Sequence, residues 1–322
     1  MSAPGLLTWP APRTFFGAPS VPDLDSLDAQ VAFLGVPYDG GTPQPGVRTG
    51  QSEGPSAVRR VSWYQNDYRW PPDDDSNQGA AGWYDVETDR DHLVGVTMAD
   101  VGDVAIQGSS TEGNYERITG AARAIAERGA VMVAVGGDHS ITYPLGRGME
   151  PFGEIDVVNV DAHADFIDEM PGGRLSGASQ IRRLAELPFV RSVTELGLRN
   201  AEREEVDGMR ELGARWATTA EVIERGGPEV VSELVPESEA LYVSIDIDVL
   251  DPSVVPGTTL PEPGGLDYRR LRELLAAVAG RGRVVGFDVV ELNPPHDVGT
   301  NTARVVGWII THFLTEIFER PR

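Results

Sequence analysis

Three apolar runs, Val131 to Val135, Ile155 to Val160 and Leu241 to Ile245, are near-continuous and rich in β-branched residues. Such runs predict strands of a parallel sheet covered on both faces. Gln30 to Val36 predicts the first strand, and Val284 to Val290 another. Between them the period changes. Tyr115 to Arg128 repeats its apolar positions with helical spacing and leads into the run at Val131, a βαβ-type crossover. Asp267 is placed to cap a helix over Tyr268 to Ala279, with Leu266 and Leu271 as a hydrophobic staple and Leu274, Leu275 and Val278 on the buried face. Near the end, the pairs Val305/Val306, Ile309/Ile310, Phe313/Leu314 and Ile317/Phe318 recur every four residues and make one broad buried stripe. Strands alternating with helices predict an α/β fold.

The remaining stretches read as connections. Residues 1 to 28 form an irregular, proline-spaced arm suited to crossing a neighbouring subunit, and residues 29 to 322 a single catalytic domain without internal repeat or linker. Pro71 to Asp91 is acidic and turn-rich, with Asp73, Asp74 and Asp75 together; it predicts a long, solvated surface loop. A chain of 322 residues buries roughly three quarters of its unfolded surface, enough for one large domain.

Charge narrows the partners. A net charge of −23 argues against nucleic acid or an anionic membrane and favours cationic small molecules. No run of about 18 apolar residues occurs, and Met1 to Pro22 lacks a basic segment followed by an apolar one, so neither a membrane span nor a signal peptide is expected. The expectation is a cytoplasmic enzyme. Cysteine is absent, which removes thiolate chemistry. All 27 basic residues are arginine, a bias that fits a GC-rich genome better than adaptation to high salt.

The candidate chemistry sits where the apolar runs stop. His139 lies in Gly136-Gly137-Asp138-His139-Ser140, Asp161, His163 and Asp165 in Asp161-Ala162-His163-Ala164-Asp165, and Asp246 and Asp248 in Ser244-Ile245-Asp246-Ile247-Asp248. In an extended segment side chains at i, i+2 and i+4 share a face, so each packet predicts convergence. Ligands at the carboxyl ends of parallel strands stand where open α/β sheets bind. Any one packet alone also fits a polar strand end with capping aspartates; three in order do not. Four carboxylates and two imidazoles carry about −4, prohibitive in a dry cleft. Two divalent cations would neutralise it, and oxygen ligands mixed with imidazole suit two Mn²⁺, with Ni²⁺, Co²⁺, Zn²⁺ or Fe²⁺ as poorer matches. Such a pair acidifies a shared water and aims it at an electrophilic carbon.

These packets, with Gly35-Val36-Pro37-Tyr38-Asp39-Gly40-Gly41-Thr42, Pro45-Gly46-Val47-Arg48, Asp100-Val101-Gly102-Asp103-Val104, Pro261-Glu262-Pro263-Gly264-Gly265-Leu266 and Asp288-Val289-Val290-Glu291-Leu292-Asn293-Pro294, resemble the ureohydrolase superfamily of arginases, agmatinases, guanidinobutyrases and formimidoylglutamases. The likeness runs over about residues 30 to 320 and leans toward the agmatinase branch. It implies a three-layer α/β/α fold with a parallel sheet of about eight strands, a two-manganese site and a homotrimer or homohexamer. It also implies a substrate role for Glu291, which leaves the run Val284 to Val290 and suits a planar guanidinium or amidinium. A strand-end salt bridge is the alternative for that residue.

Two departures from the family pattern bear on the substrate. Arginases and agmatinases follow the Asp-x-His-x-Asp packet with a His-Gly pair; here Ser176 precedes Gly177, and a hydroxyl cannot replace imidazole as an acid or base near pH 7. Formimidoylglutamases also lack that histidine. In Gly257-Thr258-Thr259-Leu260-Pro261, Leu260 puts an apolar branch where the family usually carries a hydroxyl. Arg174 to meet a carboxylate and Glu202 to meet an amine are candidate recognition residues, each with plain surface charge as its alternative. His296, five residues after Glu291 in a loop stiffened by Pro294 and Pro295, is a candidate to take over the missing proton transfer, with an exposed loop histidine as the alternative. Three readings follow: an amidinohydrolase releasing urea from a guanidino compound, a formimidoyl hydrolase releasing formamide, and a silent subunit of a ureohydrolase assembly.

Overall fold

A computed structural model describes residues 7–42, 46–67, 81–108, 110–170 and 173–319. In chain order these form β1 (Thr8–Trp9), β2 (Val31–Val36), α1 (Gly54–Asp67), β3 (Ala81–Asp85), β4 (Arg90–Val94), β5 (Met98–Val104), α2 (Thr111–Glu127), β6 (Val131–Gly136), α3 (Thr142–Arg147), β7 (Ile155–Val160) and α4 (Gln180–Ala185). They continue with β8 (Val190–Leu198), α5 (Arg203–Leu212), β9 (Arg215–Thr218), α6 (Thr219–Arg225), α7 (Gly227–Leu234), β10 (Ser238–Asp246), α8 (Tyr268–Ala279), β11 (Gly282–Val290) and α9 (Asn301–Glu319). Nine strands join one sheet in the order β1-β5-β2-β6-β11-β10-β7-β8-β9. Eight are parallel; β1 alone runs antiparallel, against β5.

Alternation along the strands builds the layers. Val133 and Val135 of β6, Val158 and Val160 of β7, and Val243 and Ile245 of β10 pack with Leu271, Leu274 and Phe313 on one face. Met132 and Ala134, Val157 and Tyr242 turn the other way onto Ile118, Ile125, Leu145 and Ile181. Each strand is thus buried on both faces, as its apolar run predicts. The last helix is anchored by Ile309, Ile310, Phe313 and Leu314, none more than 2% exposed, each contributing roughly 1.5–3 kcal/mol by burial. Asp267 caps α8 through Arg270 N at 2.9 Å, and Asp297 caps α9 through Thr302 N at 2.9 Å. No helix among the described residues is long and apolar enough to cross a membrane.

Two elements differ from the expectation. Among the described residues the first strand is β1, not the run at Gln30, and within the segment expected as an arm Phe15 is fully buried against its own chain, its N–H donating to Asp100 Oδ2 at 2.8 Å. The loop expected over Pro71 to Asp91 is, from Ala81 onward, the hairpin β3–β4; residues 71–80 lie outside the described residues. Acidic neighbours hide this hairpin from a composition argument. Trp83 holds it, meeting the stacked rings of Trp308 and His312 edge-on with its Nε1 donating to Thr315 at 3.1 Å, while Glu319 accepts from the backbone of Leu93.

The order of the central strands matters for function. β6, β11, β10 and β7 are adjacent, so the segments leaving their carboxyl ends, at His139, Glu291, Asp246 and Asp161, rise side by side.

Candidate metal centre

The convergence predicted for the three packets is present, but not by continued strand. β7 ends at Val160 and β10 at Asp246, after which the chain turns. In each packet a carboxylate accepts the N–H two residues on: Asp138 Oδ1 from Ser140 (3.1 Å), Asp161 Oδ1 from His163 (2.7 Å) and Asp246 Oδ1 from Asp248 (2.8 Å). These aspartate turns stop the strands and fold the ligands inward. Asp165 and Glu291 take left-handed backbone conformations, at φ 48° and 67°.

Two ligand groups result. His139, Asp161 and Asp165 form one, and Asp161, His163 and Asp248 the other, with Asp161 common to both. His139 Nδ1 lies 3.1 Å from Asp161 Oδ2, 2.9 Å from Asp165 Oδ2 and 3.2 Å from Asp246 Oδ2. His163 Nδ1 lies 2.9 Å from Asp248 Oδ2 and 3.7 Å from Asp161 Oδ1. Despite these approaches, the buried His139 Nδ1 makes no hydrogen bond among the described residues: the atoms are arranged around a common point, not as donors and acceptors. That is how ligands surround a cation, and the His/Asp donor set suits the first-row divalent metals.

Electrostatics agree. Burial opposes a charge on His139, but the adjoining carboxylates of Asp161, Asp165 and Asp246 outweigh it and hold the imidazole well above its ordinary value. Burial, with Asp248 and Asp161 nearby, pushes Asp246 well up, and burial beside Asp161 raises Asp248 to about 6. A cluster that takes up protons so readily is short of positive charge, which divalent cations supply.

A cavity of about 220 Å³ opens over both groups. Glu291 lines it, its Oε1 accepting from His139 N at 2.8 Å and its Oε2 from Gln51 Nε2 at 3.1 Å. Burial and the neighbouring Asp138 raise its carboxyl to about 7. Asp138 does not join the ligands; its Oδ2 accepts Gly41 N at 2.6 Å and ties the glycine loop to the rim. That approach needs glycine, because a Cβ at position 41 would lie 2.1 Å from Ser140 Oγ.

Comparison with known proteins is decisive. The arginase family model matches residues 29–315. The chain belongs to the arginase family. Members of that family are binuclear metal enzymes. The chain is 32% identical to guanidinopropionase of Pseudomonas aeruginosa over 314 residues, covering 95% of this chain and 92% of that protein. It is 32% identical to agmatinase of Pyrococcus horikoshii over 276 residues, 85% and 87% of the two chains. The solved structure of proclavaminate amidino hydrolase from Streptomyces clavuligerus superimposes with a TM-score of 0.80 at 27% identity, covering 98% of this chain and 99% of that one. This arginase-family chain is therefore an enzyme of the ureohydrolase kind, with the arginase-like α/β fold.

The other residues singled out from the sequence fall into two sets. Glu202 and Leu260 line the cavity. Arg174, Ser176 and His296 do not. Arg174 is half exposed and paired to Asp168 at 2.8 Å and Glu186 at 3.0 Å, carboxylates that draw its guanidinium away from the cavity. Ser176 is buried behind the lining, its hydroxyl 3.0 Å from Ser179 Oγ. His296 Nδ1 donates to the carbonyl of Thr258 at 3.1 Å, and the adjoining Asp297 caps α9.

Sequence reasoning missed Gln51, Glu205 and Glu262. Gln51, fully buried, orients Glu291. Glu205 lines the cavity while accepting Phe166 N at 3.0 Å. Glu262 Oε1 faces His163 Nε2 at 3.5 Å and accepts from Asn200. Glu262 was in view within Pro261-Glu262-Pro263; the other two carry no sequence signal of their own.

Proposed function

We propose that the protein is a binuclear metal-dependent amidinohydrolase that cleaves a guanidino compound to urea and an amine. The observation that carries the reading is the pair of ligand groups sharing Asp161 beneath a cavity that Glu291 enters. When bound, two cations, taken to be Mn²⁺, supply the Lewis acidity that makes water nucleophilic at neutral pH. His139, Asp161, Asp165, His163, Asp248 and Asp246 would hold them.

The remaining work falls to this chain's own side chains. Glu291, steadied by His139 N and Gln51, presents a carboxylate to a planar cationic amidine and fixes its carbon over the ligand groups. Farther out, Glu202, Glu205 and Glu262 line the cavity, and no arginine among the described residues does. A distal ammonium suits that lining better than a carboxylate, so the reading favours agmatine and related aminoalkylguanidines over guanidinobutyrate. Leu260 offers an apolar contact for the intervening methylenes.

Ser176 supports a second reading. With its hydroxyl turned to Ser179, no imidazole stands at the family's usual position, as in formimidoylglutamases, and the product would be formamide. Incubating the purified, Mn²⁺-loaded protein with a panel of guanidino and formimidoyl compounds and assaying both products tests the reading. Urea from an aminoalkylguanidine is expected; formamide transfers the case to the second reading, and turnover of nothing to a silent subunit. The proposal includes a cytoplasmic homotrimer or homohexamer, to be checked by light scattering and fractionation.

A further inference from the structure

Beneath the ligand groups a row of polar side chains crosses four adjacent strands of the sheet. Glu195 of β8 pairs in register with Asn159 of β7, Asn159 with Ser244 of β10, and Ser244 with Asp288 of β11. All four side chains are fully buried. A buried polar group left without a partner costs about 1–3 kcal/mol, so four in one row demand a reason. The Ser244 half has one on view: its hydroxyl lies 3.0 Å from His139 Nε2.

The Asn159 half points at a different ligand. The Asn159 amide nitrogen lies 3.2 Å from Asp161 Oδ2 and 2.8 Å from Glu195 Oε2, so its two N–H groups are divided between the two carboxylates. The leftover acceptors, Asn159 Oδ1 and Glu195 Oε1, have no partner among the described residues. An amide free to choose would present its oxygen to a donor. Here it is held with both N–H groups toward carboxylates, and its direction relative to Asp161 depends on an acceptor standing at Glu195.

We propose that Asn159 and Glu195 are positioning residues for the metal centre: Asn159 fixes the Oδ2 edge of Asp161, the carboxylate common to both ligand groups, and Glu195 fixes the direction of the Asn159 amide. This rests on the metal-centre reading above. Each oxygen of Asp161 then has its own restraint. Oδ1, toward His163, accepts His163 N at 2.7 Å; Oδ2, toward His139, depends on Asn159. Loosening Asn159 therefore disturbs the His139 group and spares the His163 group.

Mn²⁺ titration of the metal-stripped full chain by calorimetry reads this without reference to turnover. Wild type is expected to take up two ions. Asn159→Leu and Glu195→Leu should weaken one of them by ~10–100-fold and leave the other within about 3-fold. Glu195→Gln keeps an acceptor oxygen and should restore wild-type binding to within about 3-fold. Circular dichroism of the stripped proteins controls for folding, and Asn159→Ser replaces Asn159→Leu if the latter does not fold. Unchanged affinity for both ions in the Asn159 and Glu195→Leu variants overturns the proposal, as does a Glu195→Gln loss equal to that of Glu195→Leu. If wild type itself takes up no Mn²⁺, the metal-centre reading falls and the proposal with it, an outcome distinct from uptake by wild type and variants alike.

Discussion

The two halves of the candidate metal centre are built differently. His139 is sealed: its side chain is 2% exposed, its Nε2 meets Ser244 Oγ, and Ser244 donates to Asp288 Oδ1 at 2.7 Å. Asp288 is itself held by Tyr242 and Thr142. His163 stands in the cavity wall, 19% exposed, and its Nε2 faces Glu262, on a loop, at 3.5 Å. The first imidazole is aimed by strands before any ligand arrives; the second is aimed by a loop that substrate can touch. One half of such a centre serves as a fixed post and the other as a working edge.

The sharpest way to break this asymmetry is to remove what the halves share. Asp161→Ala should abolish tight uptake of both cations and lower kcat/KM by about 10³-fold or more; retention of two tight sites by calorimetry would show that Asp161 is not common to them. Glu291→Gln removes no ligand atom from either half and keeps an amide oxygen that can accept from His139 N. It should leave Mn²⁺ content unchanged and lower kcat/KM by ~10²-fold or more, by losing the charged, oriented partner of the cationic substrate. Burial raises the Glu291 carboxyl to about 7, so the ionised form is lost as pH falls through that value in the metal-free protein. Bound cations shift this downward. The acid limb of the wild-type profile should therefore lie at or below pH 7, and it should be missing from the glutamine variant.

Smaller effects sharpen the comparison. Ser244→Ala, on the sealed side, should weaken one ion by ~10–100-fold, while Glu262→Gln should cost the other only about 3-fold. Equal losses would mean that the exposed half is as rigidly aimed as the buried one. Least of all should follow from His296→Ala. Its ring bonds the Thr258 carbonyl outside the cavity lining, so about 1 kcal/mol of stability should go while kcat and its pH profile stay within a few-fold of wild type. A kcat loss of ~10²-fold with unchanged metal content would instead make it a proton carrier.

Where pattern and local chemistry act together, the sequence was legible. The helix over Tyr268 to Ala279 has the expected bounds because Asp267 caps it and Leu271, Leu274 and Leu275 bury one face. The three packets were legible because charge of one sign at the ends of apolar strands has few other uses. Legibility ended where partners come from elsewhere in the chain. The role of Gln51 depends on Glu291, 240 residues away, and Arg174 is claimed by Asp168 and Glu186, whose positions no spacing rule provides. The strand period placed the ligands on one face for an incomplete reason, since aspartate turns complete the convergence. The hairpin β3–β4 was hidden because its stability comes from Trp83 against the distant α9.

The left-handed backbone at Asp165 and Glu291 has a consequence for anyone trying to make this protein more robust. A non-glycine residue in that region costs of order 1–2 kcal/mol, and both positions carry partly buried carboxylates as well. Glycine at 165 would relax the backbone and remove a repulsive charge from the metal-free chain. Selection for heat resistance in chelator should therefore enrich substitutions at these two positions, yielding a protein that grows tougher as it forgets its chemistry. Screens for durability on this scaffold need to be run with the cations present, so that the load carried by the empty-handed protein is counted as capacity.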